Sequence, residues 1–234
     1  MATPRDVVLA NLATIRERVA RAAERARREP SGVRLVAAAK SVPADSVGWV
    51  VDAGVPNVGE NYVQELRAKR ADVRGATWHF IGTLQSRAAP AVAELSDVVE
   101  TVVPGRAMRR LAARAAALDR TLPALVEVDF TGERSGVVPE RVAEAAIEVA
   151  ETPGLALAGL MTLPPLPAAA EDSRPHFRRL RELLDAIGER HPQATELSMG
   201  MSLDYEVAVE EGATMIRIGT ALFGARSGMD RGRT

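Results

Sequence analysis

Residues 34–43 read RLVAAAKSVP, and the organisation of the chain follows from them. The apolar run 35–39, bounded by Gly32 before it and Pro43 after it, suits a short strand buried on both faces. Side chains alternate along a strand, so Val36, Ala38 and Lys40 share one face. Lys40 is open to two readings. It marks the point where the strand reaches water, or it is an amine desolvated at the strand's end and used as a nucleophile toward an aldehyde.

Upstream, 4–29 read as one amphipathic helix, with Val8, Leu12, Ile15, Val19 and Ala22 at spacings of three and four. Thr3 and Pro4 suit its N-cap and first turn. Arg16, Arg18, Arg21, Arg25, Arg27 and Arg28 interleave with Glu17, Glu24 and Glu29, the pattern of a solvated face. Pro30-Ser31-Gly32 stops the helix. Downstream, strand-like and helix-like segments alternate. The strands are 35–39, 55–58, 77–81, 98–102, 124–129, 156–160, 196–198 and 214–218. The helices are 45–52, 62–71, 86–95, 106–117, 139–151, 173–190 and 204–210. About eight strands, nearly all followed by a helix, predict a single α/β domain over residues 1–226: a (β/α)8 TIM-type barrel with an extra N-terminal helix. An open doubly wound sheet competes, but no GxGxxG follows the first strand. The connection 163–172 is rich in Pro and Ala and reads as a mobile loop. The polar tail 227–234 reads as frayed.

The 234 residues are 47% hydrophobic but only 3% aromatic, so the core rests on Ala, Val, Leu and Ile. The formal net charge of -1 gives no electrostatic case for nucleic acid or an anionic membrane surface. There is no cysteine, which excludes disulfides and thiolate metal sites. No apolar run approaches a membrane span and the N-terminus lacks a secretory pattern, so a cytoplasmic location is expected. Three histidines make a multi-histidine metal site improbable.

In a barrel the active face lies at the strands' C-terminal ends. Lys40, Gly59-Glu60-Asn61-Tyr62, His79 to Gly82 with Gln85-Ser86, Met161-Thr162, the run Ser198-Met199-Gly200-Met201-Ser202 and the run Arg217-Ile218-Gly219-Thr220 all fall there. The last two runs suit a phosphate cradle. Gly200 and Gly219 let the backbone approach an anion, Ser198 and Thr220 add hydroxyls, and Thr220 is placed to cap a short following helix. The alternative is ordinary turn chemistry. Arg217 shares an inward face with Met215; buried, it pairs with a carboxylate such as Glu60 or Asp129, or meets an acceptor nitrogen on a bound ring. His79 reads as a satisfied core histidine, and Glu60 as a structural acceptor.

The segments VAAAKS, VGENYVQEL, WHFIGTLQS, GLMTLPP and LSMGMSLDYEVAVEEGATMIRIGTALFGAR together resemble the pyridoxal-phosphate homeostasis protein family. The resemblance spans residues 35–226 and implies a barrel similar to that of alanine racemase. It further implies that Lys40 carries pyridoxal 5'-phosphate as an internal aldimine. Ser198, Gly200, Gly219 and Thr220 would hold the phosphate with Met199 nearby, Asn61 would line the pocket, and Arg217 would face the pyridine nitrogen. The sequence departs from the family pattern at Thr83, at Arg87-Ala88-Ala89, at Asp129 and in the short loop containing Arg134. These changes weigh against a second cofactor site that relies on lysines there. The implied function is a monomeric carrier for vitamin B6 and amino-acid homeostasis, transiently meeting apo-enzymes and turning nothing over. The alternative is a racemase or decarboxylase on the same barrel, for which Tyr62 and Tyr205 are the only tyrosines.

Overall fold

The computed structural model describes residues 3–132 and 135–224. Helix α1 (Arg5–Arg25) comes first and buries Val8, Leu12, Ile15, Val19, Ala22 and Ala23, the stripe expected from their spacing. Then follow β1 (Arg34–Ala38), α2 (Ala44–Asp52), β2 (Asn57–Glu60), α3 (Val63–Asp72), β3 (Thr77–Phe80) and α4 (Ala89–Leu95). The chain continues through β4 (Val98–Val102), α5 (Arg106–Ala116), β5 (Leu122–Val128), α6 (Val142–Glu151), β6 (Leu155–Thr162) and α7 (Arg174–Gly188). It ends in β7 (Glu196–Ser198), α8 (Tyr205–Glu210), β8 (Met215–Ile218) and the one-turn α9 (Thr220–Phe223).

The strands are all parallel and close in sequence order. Closure is made by β1 on β8, in register from Arg34 opposite Met215 to Ala37 opposite Ile218. That pairing excludes the open doubly wound sheet. Alternation sends Val36, Leu125, Met161 and Met215 into one cluster from β1, β5, β6 and β8, which can meet only inside the barrel. Ala37, Val58, Trp78, Phe80, Val99 and Ile216 point the other way, into the shell between strands and helices. One extra residue, Ala158, bulges from β6 where the register skips from Leu157 to Gly159. Gly159 has φ +157°, and a Cβ there would lie 2.0 Å from the Glu196 carbonyl oxygen, so only glycine fits.

Several boundaries differ from expectation for local reasons. The first strand stops at Ala38 because the chain turns: Val42 N–H donates to Ala39 O at 2.9 Å, and Ser41 has φ +60°. The second strand starts at Asn57, after Pro56, which has no N–H to give; its carbonyl instead accepts Thr77 N–H at 2.8 Å. Helix α4 begins at Ala89 because the preceding turn folds Ala88 and Ala89 N–H back onto Gln85 O. Pro4, not Thr3, is the N-cap of α1, and the Thr3 hydroxyl donates 2.5 Å to Phe223 O across the chain. Arg134 and the tail 227–234 lie outside the described residues. Among the described residues no helix is long and apolar enough to cross a membrane.

Candidate functional site at the C-terminal rim

Because the strands are parallel, the residues after each of them gather at one rim. Lys40 sits two residues past β1, in the turn rather than on the strand. It is half-buried, so the full desolvation expected of a strand residue is not met. Among the described residues its ammonium pairs with no carboxylate; it lies over the Tyr62 ring, 5.4 Å from the centroid. Asn61 follows β2 at the neighbouring position and is wedged against Gly82, where a Cβ would meet Asn61 O at 2.1 Å. Across the β1–β8 seam, Gly219 lies against Ala38, with room for a Cβ only 3.3 Å from Ala38 O.

The loops after β7 and β8 are tied together. Met199 N–H donates to Met215 O at 3.1 Å, and Arg217 N–H to Gly200 O at 2.9 Å. Gly200 has φ +91°, and a Cβ there would stand 2.5 Å from that of Ala208. Gly219, not Thr220, is the N-cap of α9, and no side chain caps it; Thr220 is exposed as the first helical residue. The hydroxyl that serves this turn belongs to Ser202, which accepts Ala221 N–H at 3.1 Å. The result is two backbone loops, after β7 and β8, tied to each other and set beside the Lys40 turn across the β1–β8 seam.

Beneath the rim a polar network crosses the barrel. Arg217, 3% exposed, donates from Nη1 to Ser198 Oγ at 2.5 Å and from Nη2 to Thr162 O at 2.7 Å. Ser198 in turn donates to Glu100 Oε2 at 2.5 Å. The other oxygen of Glu100 faces His79 Nδ1 at 2.6 Å, and His79 Nε2 is 3.2 Å from Asn57 Oδ1. Burial alone pushes the Glu100 carboxyl up, but His79, Arg217 and Ser198 outweigh it and hold Glu100 below the ordinary carboxylate range. Burial also draws the Arg217 guanidinium down, against the opposing pull of Glu100, Asp204 and Glu127.

The alanine racemase N-terminal domain model matches residues 10–227. A pyridoxal phosphate homeostasis protein of Aquifex aeolicus is 38% identical over 220 residues, covering 92% of this chain and 96% of its own. The Pseudomonas aeruginosa protein of the same name is 39% identical over 225 residues, covering 94% and 96%. The chain belongs to the pyridoxal phosphate homeostasis protein family. Among solved structures, PipY of Synechococcus elongatus with PLP bound is 35% identical with a TM-score of 0.78, covering 90% of this chain and all of that one.

Set on the homeostasis-family barrel, the expected residues divide. Lys40, Asn61, Gly200, Gly219 and Thr220 reach the rim. Met199 does not: strand alternation turns its side chain outward into the shell, fully buried, and its N–H is used by Met215. Ser198 points inward, and its hydroxyl is engaged by Glu100 and Arg217 rather than turned to the rim. Arg217 does face inward as expected, but its carboxylate neighbour is Glu100, 3.9 Å away, and neither Glu60 nor Asp129. Glu60 points to the outer shell and binds Lys69 at 2.5 Å; Asp129 accepts from the Thr131 N–H and hydroxyl. His79 is satisfied in the core. Ser202 belongs to the rim run expected after the seventh strand, whereas Glu100 and Lys69 carried no expectation from the sequence. Glu100 had a signal: a single carboxylate at an inward position of the apolar strand VVETV.

Proposed function

We propose that this chain binds pyridoxal 5'-phosphate at the C-terminal rim, holds it through Lys40, and buffers or delivers it without turnover of its own. The observation that carries the reading is the placement of Lys40, whose ammonium makes no carboxylate hydrogen bond among the described residues, beside the paired loops at Gly200 and Gly219 on the same rim. The donor set fits the cofactor's three functional groups. An amine suits the aldehyde. Backbone N–H groups of the two loops, with the Thr220 hydroxyl, suit the phosphate. Arg217 suits the ring nitrogen, and Asn61 lines the pocket between. The relatives' shared name and the PLP recorded in PipY support the same cofactor.

When bound, the cofactor supplies an aldehyde and an electron-withdrawing ring. The protein's residues limit what that ring does. A guanidinium cannot accept or share a proton at neutral pH, and its charge opposes protonation of a nitrogen beside it. Glu100 and Ser198 hold that cation in place, which would keep a bound ring a weak electron sink. Of the two tyrosines, Tyr205 is buried and its hydroxyl is engaged by Arg18 of α1, while Tyr62 turns its ring face to the Lys40 amine. The relatives are named for homeostasis rather than for a reaction. A transient meeting with apo-enzymes and a monomeric state complete the reading.

Pyridoxal phosphate added to the purified protein should give a yellow species. Borohydride should then fix a cofactor-sized adduct on Lys40, and Lys40→Ala should remain unlabelled. A panel of L- and D-amino acids should show Cα–H exchange no faster than free cofactor gives. A protein that stays colourless would overturn the binding reading, and sustained exchange would convert it to an enzyme.

A further inference from the structure

Behind Lys40, on the outer side of the barrel, lies a buried charged cluster that the proposed binding does not use. Lys69 of α3 is 7% exposed and Glu60, at the end of β2, is 0% exposed. Lys69 Nζ donates to Glu60 Oε1 at 2.5 Å, to Glu65 Oε2 at 2.8 Å and to Ala39 O at 2.7 Å. All three ammonium hydrogens therefore have acceptors. Glu65 Oε2 also accepts the Ser41 N–H at 2.7 Å. Ala39 and Ser41 are the two neighbours of Lys40. One is gripped through its carbonyl and the other through its N–H.

We propose that Lys69, Glu65 and Glu60 form a positioning device that presents the Lys40 amine to the cofactor's aldehyde. The proposal rests on the reading of Lys40 as the cofactor lysine. The local geometry shows why such a device is needed. Lys40 and Ser41 are the central residues of a turn closed by Val42 N–H on Ala39 O. Ser41 takes φ +60°, which a type II turn requires of its third residue but which costs a non-glycine residue about 1 kcal/mol. Strain of this kind persists only where the surroundings over-determine it. Here the surroundings are the Glu65 carboxylate on the Ser41 N–H and the Lys69 ammonium on the Ala39 carbonyl. The backbone on both sides of Lys40 is held, and only the side chain is left to move. Helix α3 also begins right after Tyr62, its N-cap, whose ring lies under the Lys40 amine. One helix thus sets the root of the lysine through Lys69 and flanks its tip through Tyr62. A buried ion pair is seldom the most stable filling for such a space, so its presence behind Lys40 fits a positioning task.

Two variants separate positioning from general stability. Glu65→Ala removes the Ser41 acceptor at a side chain that is 29% exposed. The double variant Glu60→Leu with Lys69→Met removes both buried charges together and leaves Glu65 with the Ser41 N–H and Ala39 O with the Val42 N–H. The measurements are the rate of pyridoxal phosphate capture, followed by visible absorbance, and the affinity for pyridoxine 5'-phosphate, followed by calorimetry. The second ligand shares the ring and phosphate but has no aldehyde for an amine to attack. Both variants should capture pyridoxal phosphate about 10- to 100-fold more slowly, as expected for a misplaced reacting group. Their affinity for pyridoxine 5'-phosphate should stay within about twofold of the parent's. Capture at the parent rate would overturn the proposal, as would a parallel loss of both ligands. Should the double variant not fold, Glu65→Ala alone decides. A parent protein that captures nothing would instead overturn the reading of Lys40, a separate result.

Discussion

Ser198 shows how much one hydroxyl can hold. It accepts from Arg217 and donates to Glu100, so it joins the charges of two residues that approach each other no closer than 3.9 Å. Removing it leaves both buried charges short of a partner, and such losses cost about 1–3 kcal/mol. Ser198→Ala should therefore lower the urea unfolding free energy by that amount, and an unchanged midpoint would refute the bridging role. The residue was legible as important but not for this reason. A serine before a glycine at a strand's end resembles an anion turn, and only the parity of β7, with Leu197 and Met199 outward, turns it inward. Lys40 was legible because the apolar run 35–39 leads into it, although the structure ends the strand at Ala38 and puts Lys40 in the turn beyond. Lys69 was not: RAKRAD reads as a solvated helix face, and the carbonyl it binds lies 30 positions earlier.

At the scale of elements, ion pairs tie α1, α7 and α8 together. Arg174 of α7 donates to Glu210 at 2.6 Å and to Glu211 at 2.9 Å; Arg25 of α1 donates to Glu210 at 2.6 Å, and Arg178 to Glu211 at 3.0 Å. Burial works to raise both carboxyls, but the arginine hydrogen bonds prevail and hold Glu210 and Glu211 below the ordinary 4.5. Their contribution to stability is present in full above that value and is lost as pH falls through the depressed folded-state values. Arg174→Ala should cost about 1 kcal/mol at pH 7, a modest figure because the network is partly solvated. The gap between the variant and its parent should narrow in urea melts as pH falls from 7 below 4.5; a gap of constant size would show that packing, not charge, is responsible. These helices were legible from their 3.6-residue stripes, and the strands from apolar runs. The ends were less so, since a proline, a turn or a bulge moves an end without changing the stripe.

At the scale of the molecule, α1 seals the seam region. It reaches α9 through Asn11 on Leu222 O at 3.0 Å and Thr3 on Phe223 O. Arg28 beyond it donates to Val209 O at 2.6 Å and Ala213 O at 2.9 Å. A chain beginning at residue 30 would expose the seat of Val8, Leu12, Ile15 and Val19. At about 1.5–3 kcal/mol for each of the four, the loss is bounded at about 6–12 kcal/mol, and less where the unfolded chain already buries some of that surface. Thermal unfolding should register it as a lower melting temperature; an unshifted melt would mean that the helix is an ornament. The barrel itself was legible because eight buried strands separated by helices admit few closed arrangements. What joins β1 to β8 also sets an order of events. Arg34 and Met215, paired at the closure, stand 181 positions apart, so while the polypeptide leaves the ribosome it remains an unsealed arc until β8 emerges. On the proposed reading the amine is made early and the loops after β7 and β8 late, and a nascent chain would be blind to pyridoxal phosphate until the ring shuts.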